Sequence, residues 1–236
     1  GCMMGRYSLD KPGLVYAHAE NKDFDVSQYK TYSEDNDGII PIRQDELFDT
    51  VDIASRLCRF IEVVWGRNYL ESNIDFIAEH IAPKSREFSR EAIRMYFAND
   101  FYKDHCRTYK KRPIYWLFTS GKEKAFQAIV YLHRYNESTL SRMRTEYVLP
   151  LQTKINRQIE NFEQDIDAAG STSAKNKIQK TITLLLKQKE ELISFDEKLR
   201  HFADKKIKID LDDGVKVNYS KFGDLLADVK SITGKD

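Results

Sequence analysis

The residues with the strongest claim to chemistry lie between Tyr102 and Trp116. Lys103, Arg107, Lys110, Lys111 and Arg112 are interleaved with Tyr102, Tyr109, Tyr115 and Trp116. From Lys84 to Arg112 the chain carries nine Lys or Arg against four Asp or Glu, although its overall formal charge is only +1. A local cationic stretch of this kind favours a polyanion, because lysine and arginine neutralise phosphates and release condensed counterions. Arginine can also read guanine in the major groove, and an aromatic ring can stack on an unpaired base. Lys103, Arg107, Tyr109, Lys110, Lys111 and Arg112 are therefore the candidate DNA-contacting residues. The same pattern would also arise from buried aromatics beneath a solvated charged rim.

Other chemistries find little support. Cys2, Cys58 and Cys106 are far apart and odd in number, with no Cys-x-x-Cys pair, which argues against a disulfide framework or a zinc ribbon and fits a reducing cytoplasm. Asp104, His105 and Cys106 are adjacent, and neighbouring side chains rarely converge on one metal. His18, His80, His133 and His201 add no ligand spacing. The acidic groups Glu34, Asp35, Asp37 and Asp212, Asp213 read as a solvated face and a turn. Ser120-Gly121-Lys122 is a fragment of a phosphate loop, but Trp116 stands where that loop needs its first glycine. No metal site and no catalytic residue is assigned.

The elements that position these residues can be read from periodicity. Leu47, Val51, Ala54, Cys58, Ile61 and Trp65 recur at helical spacing, with Gly66 as a stop and Cys58 as a packing thiol. Further helices are expected from about Asn73 to Pro83, from Ser89, and from Lys122 to Tyr135, the last with His133 half-buried on its apolar side. Ile39-Ile40-Pro41-Ile42 is a short extended run, and Pro113 to Phe118 has strand propensity. Residues 138–168 and 172–206 carry long apolar stripes separated by a turn, predicting an antiparallel helical hairpin kinked or broken at Pro150. Ile207, Ile209 and Leu211 alternate before Asp212-Asp213-Gly214, then Val215 and Val217, which predicts a β-hairpin; Ser220 should cap a final helix.

The expected fold is thus mainly α with a minor β component. It comprises a mostly helical recognition domain over 1–136, the helical hairpin over 137–206, and a β-hairpin with a terminal helix over 207–236 that pack back on the rest. The amino end, Gly1-Cys2-Met3-Met4-Gly5-Arg6-Tyr7, reads as the interior of a longer protein. No apolar run approaches a membrane span, and a cytoplasmic location is expected.

Several segments resemble the carboxy-terminal part of the adenine-specific DNA methyltransferases of BREX phage-defence systems, relatives of the fused restriction-modification methylases. They are Gly1 to Asp10, Asp37 to Ile42, Lys110 to Phe118, Ala125 to Tyr135 and Asp212 to Tyr219. The resemblance implies a parent enzyme that methylates adenine N6 in a short DNA site using S-adenosylmethionine. This chain has no Asn/Asp-Pro-Pro-Tyr/Phe motif, no Pro-Pro at all, and no glycine loop for the methyl donor. The implied role is non-catalytic recognition of double-stranded DNA, with no cofactor of its own and the donor held by an upstream methyltransferase domain. The alternative is an interaction module whose helical hairpin docks that domain or another phage-defence protein.

Overall fold

The computed structural model describes residues 37–48, 51–110 and 112–227. Contacts divide the chain into two compact units, whose described residues are 51–101 in the first and 37–48 with 102–227 in the second. The secondary structure is mainly helical with one small antiparallel sheet. Among the described residues, no helix is long and apolar enough to cross a membrane.

The first unit holds helices α1 (Ile53–Trp65), α2 (Leu70–Ile81) and α3 (Ser89–Asn99). The buried face of α1 is Ile53, Ala54, Leu57, Ile61, Val64 and Trp65; of the predicted stripe, Ala54, Ile61 and Trp65 lie on it, Cys58 is half-buried, and Leu47 and the exposed Val51 precede the helix. The helix starts later than the periodicity suggests, because the Asp52 side chain caps it by accepting the Ser55 N–H at 2.8 Å. Gly66 ends it at φ 85, as expected. Cys58 is half-buried, and burial raises its thiol pKa, which makes it a packing residue and not a thiolate. Asp52 is fully buried, and its carboxylate pairs with the equally buried Arg94 guanidinium of α3 at 3.2 Å. Arg94 also reaches Glu91 at 2.7 Å.

The second unit is built on the sheet, in the order β1 (Ile39–Ile42), β3 (Gln127–Tyr131), β2 (Tyr115–Thr119), all antiparallel. Ile39 faces Val130, and Trp116 faces the same residue from the other side. The helix expected over Lys122 to Tyr135 is instead strand β3 and its flanks. Phe126, Ala128, Ile129 and Val130 are all completely or almost completely buried. A central strand buried on both faces loses its alternation and reads as a continuous apolar run, which periodicity cannot separate from a helix.

Helix α4 (Phe101–Tyr109) precedes β2. After β3, α5 (Thr139–Arg142) runs through a π-helical turn at Met143–Val148 into α6 (Leu149–Ala168). Helix α7 (Thr172–Asp204) returns antiparallel to it, capped by Ser171. Pro150 neither breaks nor ends the helix. It occupies the first turn of α6, where a missing N–H costs least, and the wider turn just before it absorbs the ladder mismatch. The core of this unit centres on Trp116, Phe118, Phe126, Phe195 and Phe222.

The tail corrects the sequence reading twice. Residues 207–217 form no β-hairpin; a tight turn at Leu211–Asp213 leads into the short helix α8 (Val215–Ser220). The Asn218 side chain explains the difference. Its Oδ1 accepts the Asp210 N–H at 3.1 Å, and its Nδ2 donates to Gly214 O at 2.9 Å and to Asp210 O. One amide thus satisfies the backbone groups that a partner strand would have satisfied. Nor does a helix run on from Ser220 within the described residues. Gly223 takes φ 55 beside the Phe202 ring, whose nearest carbon lies 3.0 Å from where a Cβ would stand, and a tight turn at Gly223–Leu225 follows.

Replacing Asp52 removes a helix cap and one partner of a buried cation. Asp52→Ala should destabilise the first unit by about 3 kcal/mol in chemical denaturation. A loss below about 1 kcal/mol, the usual value of an exposed pair, would show that the Asp52–Arg94 contact is not maintained in solution.

Candidate nucleic-acid interface

Helix α4 sorts the predicted contact residues by face. Tyr102, His105 and Cys106 point inward and are buried, while Lys103, Arg107 and Lys110 are exposed at helical spacing on the opposite side. The helix ends where Lys110 adopts φ 53, and the Arg112 N–H closes the turn onto Tyr109 O at 2.9 Å. Arg112 is exposed and Pro113 is buried, so the chain dives into the sheet immediately after the basic run. Lys111 lies outside the described residues. The structure thus leaves Lys103 and Arg107 exposed on α4, and Lys110 and Arg112 exposed in the turn that follows it, with Tyr109 partly exposed beside them.

The electrostatics are those of a moderately cationic surface. Arg107 is 77% exposed and pairs with Asp104 at 2.8 Å. Such an exposed pair contributes little, so a phosphate can displace it at small cost. His105 adds no positive charge at neutral pH, because burial lowers its pKa to about 4. Cations near the carboxyl end of a helix also interact favourably with its dipole, so this arrangement stabilises α4 while exposing charge. The helix backbone itself offers no N–H groups to an anion there, and any attraction comes from side chains.

Of the aromatics offered for stacking, Tyr115 and Trp116 do not reach a ligand, and neither does the nearby Phe118. Tyr115, Trp116 and Phe118 are buried. Trp116 meets Tyr219 and Phe222 edge-on, and Phe118 meets Phe222 in the same manner. Tyr109 is the aromatic of this segment with an accessible face, at 39% exposure, its ring tilted over His105 with centroids 4.6 Å apart. His133 is exposed in a tight turn after β3, and not half-buried on a helix.

The His105 side chain was given no role by spacing and proves central to the local structure. Its Nε2 accepts the Tyr115 N–H at 3.2 Å, tying the end of α4 to the start of β2. Its ring also contacts those of Tyr102, Tyr109 and Tyr115. The available signal was the segment from Tyr102 to Tyr115 itself, in which an aromatic stands on each side of the histidine.

The other candidates resolve as structural groups. Cys106 is buried, and burial raises its thiol pKa. Asp37 accepts from Tyr147 Oη and from the Ile39 N–H, each at 2.8 Å. Asp213 pairs with Lys221 at 3.4 Å. Glu34 and Asp35 fall outside the described residues. Among the described residues, no three His, Cys, Asp or Glu side chains are grouped to hold a metal ion.

No protein-family model matches the chain. Against curated proteins, the match covers 99% of its length in two cases. It is 54% identical over 243 aligned positions to the adenine-specific methyltransferase BrxX of Escherichia coli O9:H4 (strain HS). It is 43% identical over 235 positions to the adenine-specific methyltransferase PglX of Lacticaseibacillus casei (strain Zhang). The chain spans only about a fifth of each relative's length, 20% and 19%. Over almost its whole length the chain is thus similar to a segment of two proteins named as adenine-specific methyltransferases, in keeping with the resemblance that its segments carry.

His105 also makes the fold pH-sensitive. Its folded pKa of about 4 lies below the ordinary 6.5, so between these values the unfolded chain binds a proton that the folded chain refuses. Stability should thus fall as pH drops from about 6.5 toward 4. His105→Gln should flatten that part of a melting-temperature profile; an unchanged slope would assign the pH dependence to other groups.

Proposed function

We propose that this chain is a DNA-contacting, non-catalytic region of a site-specific adenine-N6 DNA methyltransferase that serves bacterial phage defence in the cytoplasm. Methyl transfer and S-adenosylmethionine belong, on this reading, to an upstream methyltransferase domain of the parent protein. The observation that carries the proposal is the exposure of Lys103 and Arg107 on α4 and of Lys110 and Arg112 in the turn after it. The names of the two long relatives, both adenine-specific methyltransferases, supply the polyanion such an element would meet. Its chemistry suits phosphate contact: exposed cations along α4 and the turn after it, Arg107 in a solvent-exposed pair with Asp104, and a tyrosine ring beside them.

A docking role for the helical hairpin is favoured by a separate observation. Leu186 and Ile193 of α7 are 43% and 46% exposed and stand two helical turns apart on one face. That pair would suit another protein surface and not a phosphate backbone.

Fluorescence anisotropy with labelled duplex DNA separates the two readings. The chain should bind duplex DNA, with affinity falling steeply as salt rises. Substituting Lys110, Lys111 and Arg112 together by alanine should lower the slope of log affinity against log salt by about one per lost phosphate contact. An unchanged slope, or no binding at low salt, would contradict the DNA-contact reading and favour docking.

A further inference from the structure

Helix α7 is divided by charge at its middle. From Thr172 to Lys189 it carries five lysines and no acid, and from Glu190 to Asp204 it carries five acids against two bases. The exposed apolar residues Leu186 and Ile193 stand symmetrically about that division, Leu186 three residues before Lys189 and Ile193 three residues after Glu190. A helix with this arrangement is complementary to a copy of itself running the other way.

The fold turns the pattern into a surface. At 3.6 residues per turn, Lys175, Leu186, Glu190, Ile193, Glu197 and Asp204 fall along one stripe, and all six are exposed. Leu185, Leu192, Phe195 and Leu199 lie on the other side of the helix and enter the core. Lys189 is half-buried at the edge of the stripe. Other charges of α7 are engaged within the chain: Glu191 by the β2–β3 loop, Asp196 by Arg144 at 2.8 Å, and Lys198 by Asp224. Lys175, Lys189, Glu190 and Asp204 make no ion pair among the described residues.

We infer that α7 pairs antiparallel with the α7 of a second copy of this chain, across a two-fold axis between Lys189 and Glu190. In that register Leu186 of each copy packs on Ile193 of the other, Lys189 meets Glu190, and Lys175 meets Asp204. Each contact occurs twice, and an interface of this isologous kind closes at two copies. Opposed helix dipoles add to the attraction. A parallel copy would set lysines against lysines and acids against acids, and a phosphate backbone would meet the acids of the carboxyl half. Charge thus selects both the partner and its direction. With two apolar residues from each copy, the interface lies at the small end of specific contacts, so pairing belongs to micromolar and higher concentrations. The inference rests on the docking reading of the hairpin and names its partner. None of these residues belongs to the basic segment at α4, so self-pairing and duplex contact can fail separately.

Sedimentation equilibrium of the whole chain, from about 5 to about 500 µM, reads the pairing directly. The average mass should rise with concentration from one chain toward two. Leu186→Asp should abolish the rise and leave the melting temperature unchanged, because the position is exposed. Lys189→Glu and Glu190→Lys should each weaken pairing at least about tenfold, since each sets like charges together at the two-fold axis. An equimolar mixture of these two variants should pair again, because the acids of one then face the lysines of the other; that recovery also shows that both are folded. A mass that stays at one chain over the whole range would overturn self-pairing and leave the stripe for a different protein surface. A dimer that Leu186→Asp leaves intact, or charge variants that do not recover on mixing, would place the contact elsewhere on the chain and overturn it too.

Discussion

Strand β2 lies at the edge of the three-stranded sheet, and its outward backbone groups must find partners elsewhere. His105 accepts the Tyr115 N–H, and the Ala227 N–H donates to Leu117 O at 2.9 Å. These two contacts determine much of the second unit. The first brings the end of α4 against the start of β2, so the basic run must turn outward before Pro113 enters the core. The second draws the tail along the edge, with Phe222, Leu225 and Leu226 buried behind it. An edge closed in this way cannot pair with another chain, and the charged segment is displayed on a fixed support.

The helical hairpin performs a comparable task for the opposite end of the sheet. Glu191 and Gln188 of α7 bind the backbone of the β2–β3 loop, while Arg43, just beyond β1, bonds both that loop and Gln188. The hairpin is thus joined to the sheet by hydrogen bonds as well as by the packing of Phe126 on Phe195. This differs from a free spacer arm, whose apolar stripe would lie open. Much of the stripe from Leu140 to Leu199 is instead buried in the core.

Long elements were legible from sequence because each repeats its signal many times. The stripes of α6 and α7 and much of the face of α1 emerged from period, and the strand at Tyr115 from the β-propensity of its residues. What failed were segments governed by one contact. Strand β3 is apolar on both faces, so its period vanished. The tail alternates like a hairpin, but the side chain of Asn218 takes over the work of a partner strand. The site was legible as charge and not as surface: Lys103, Arg107, Lys110 and Arg112 are exposed as expected, whereas Tyr115 and Trp116 proved to be core.

Lysine reactivity in the presence of duplex DNA tests the central claim most directly. With mass-spectrometric readout of reductive methylation, Lys103 on α4 and Lys110 just after it should be protected by DNA, while Lys175 and Lys177 on the exposed first turns of α7 keep their reactivity. Protection of the α7 lysines with α4 left unprotected would contradict the account and move the polyanion contact to the hairpin.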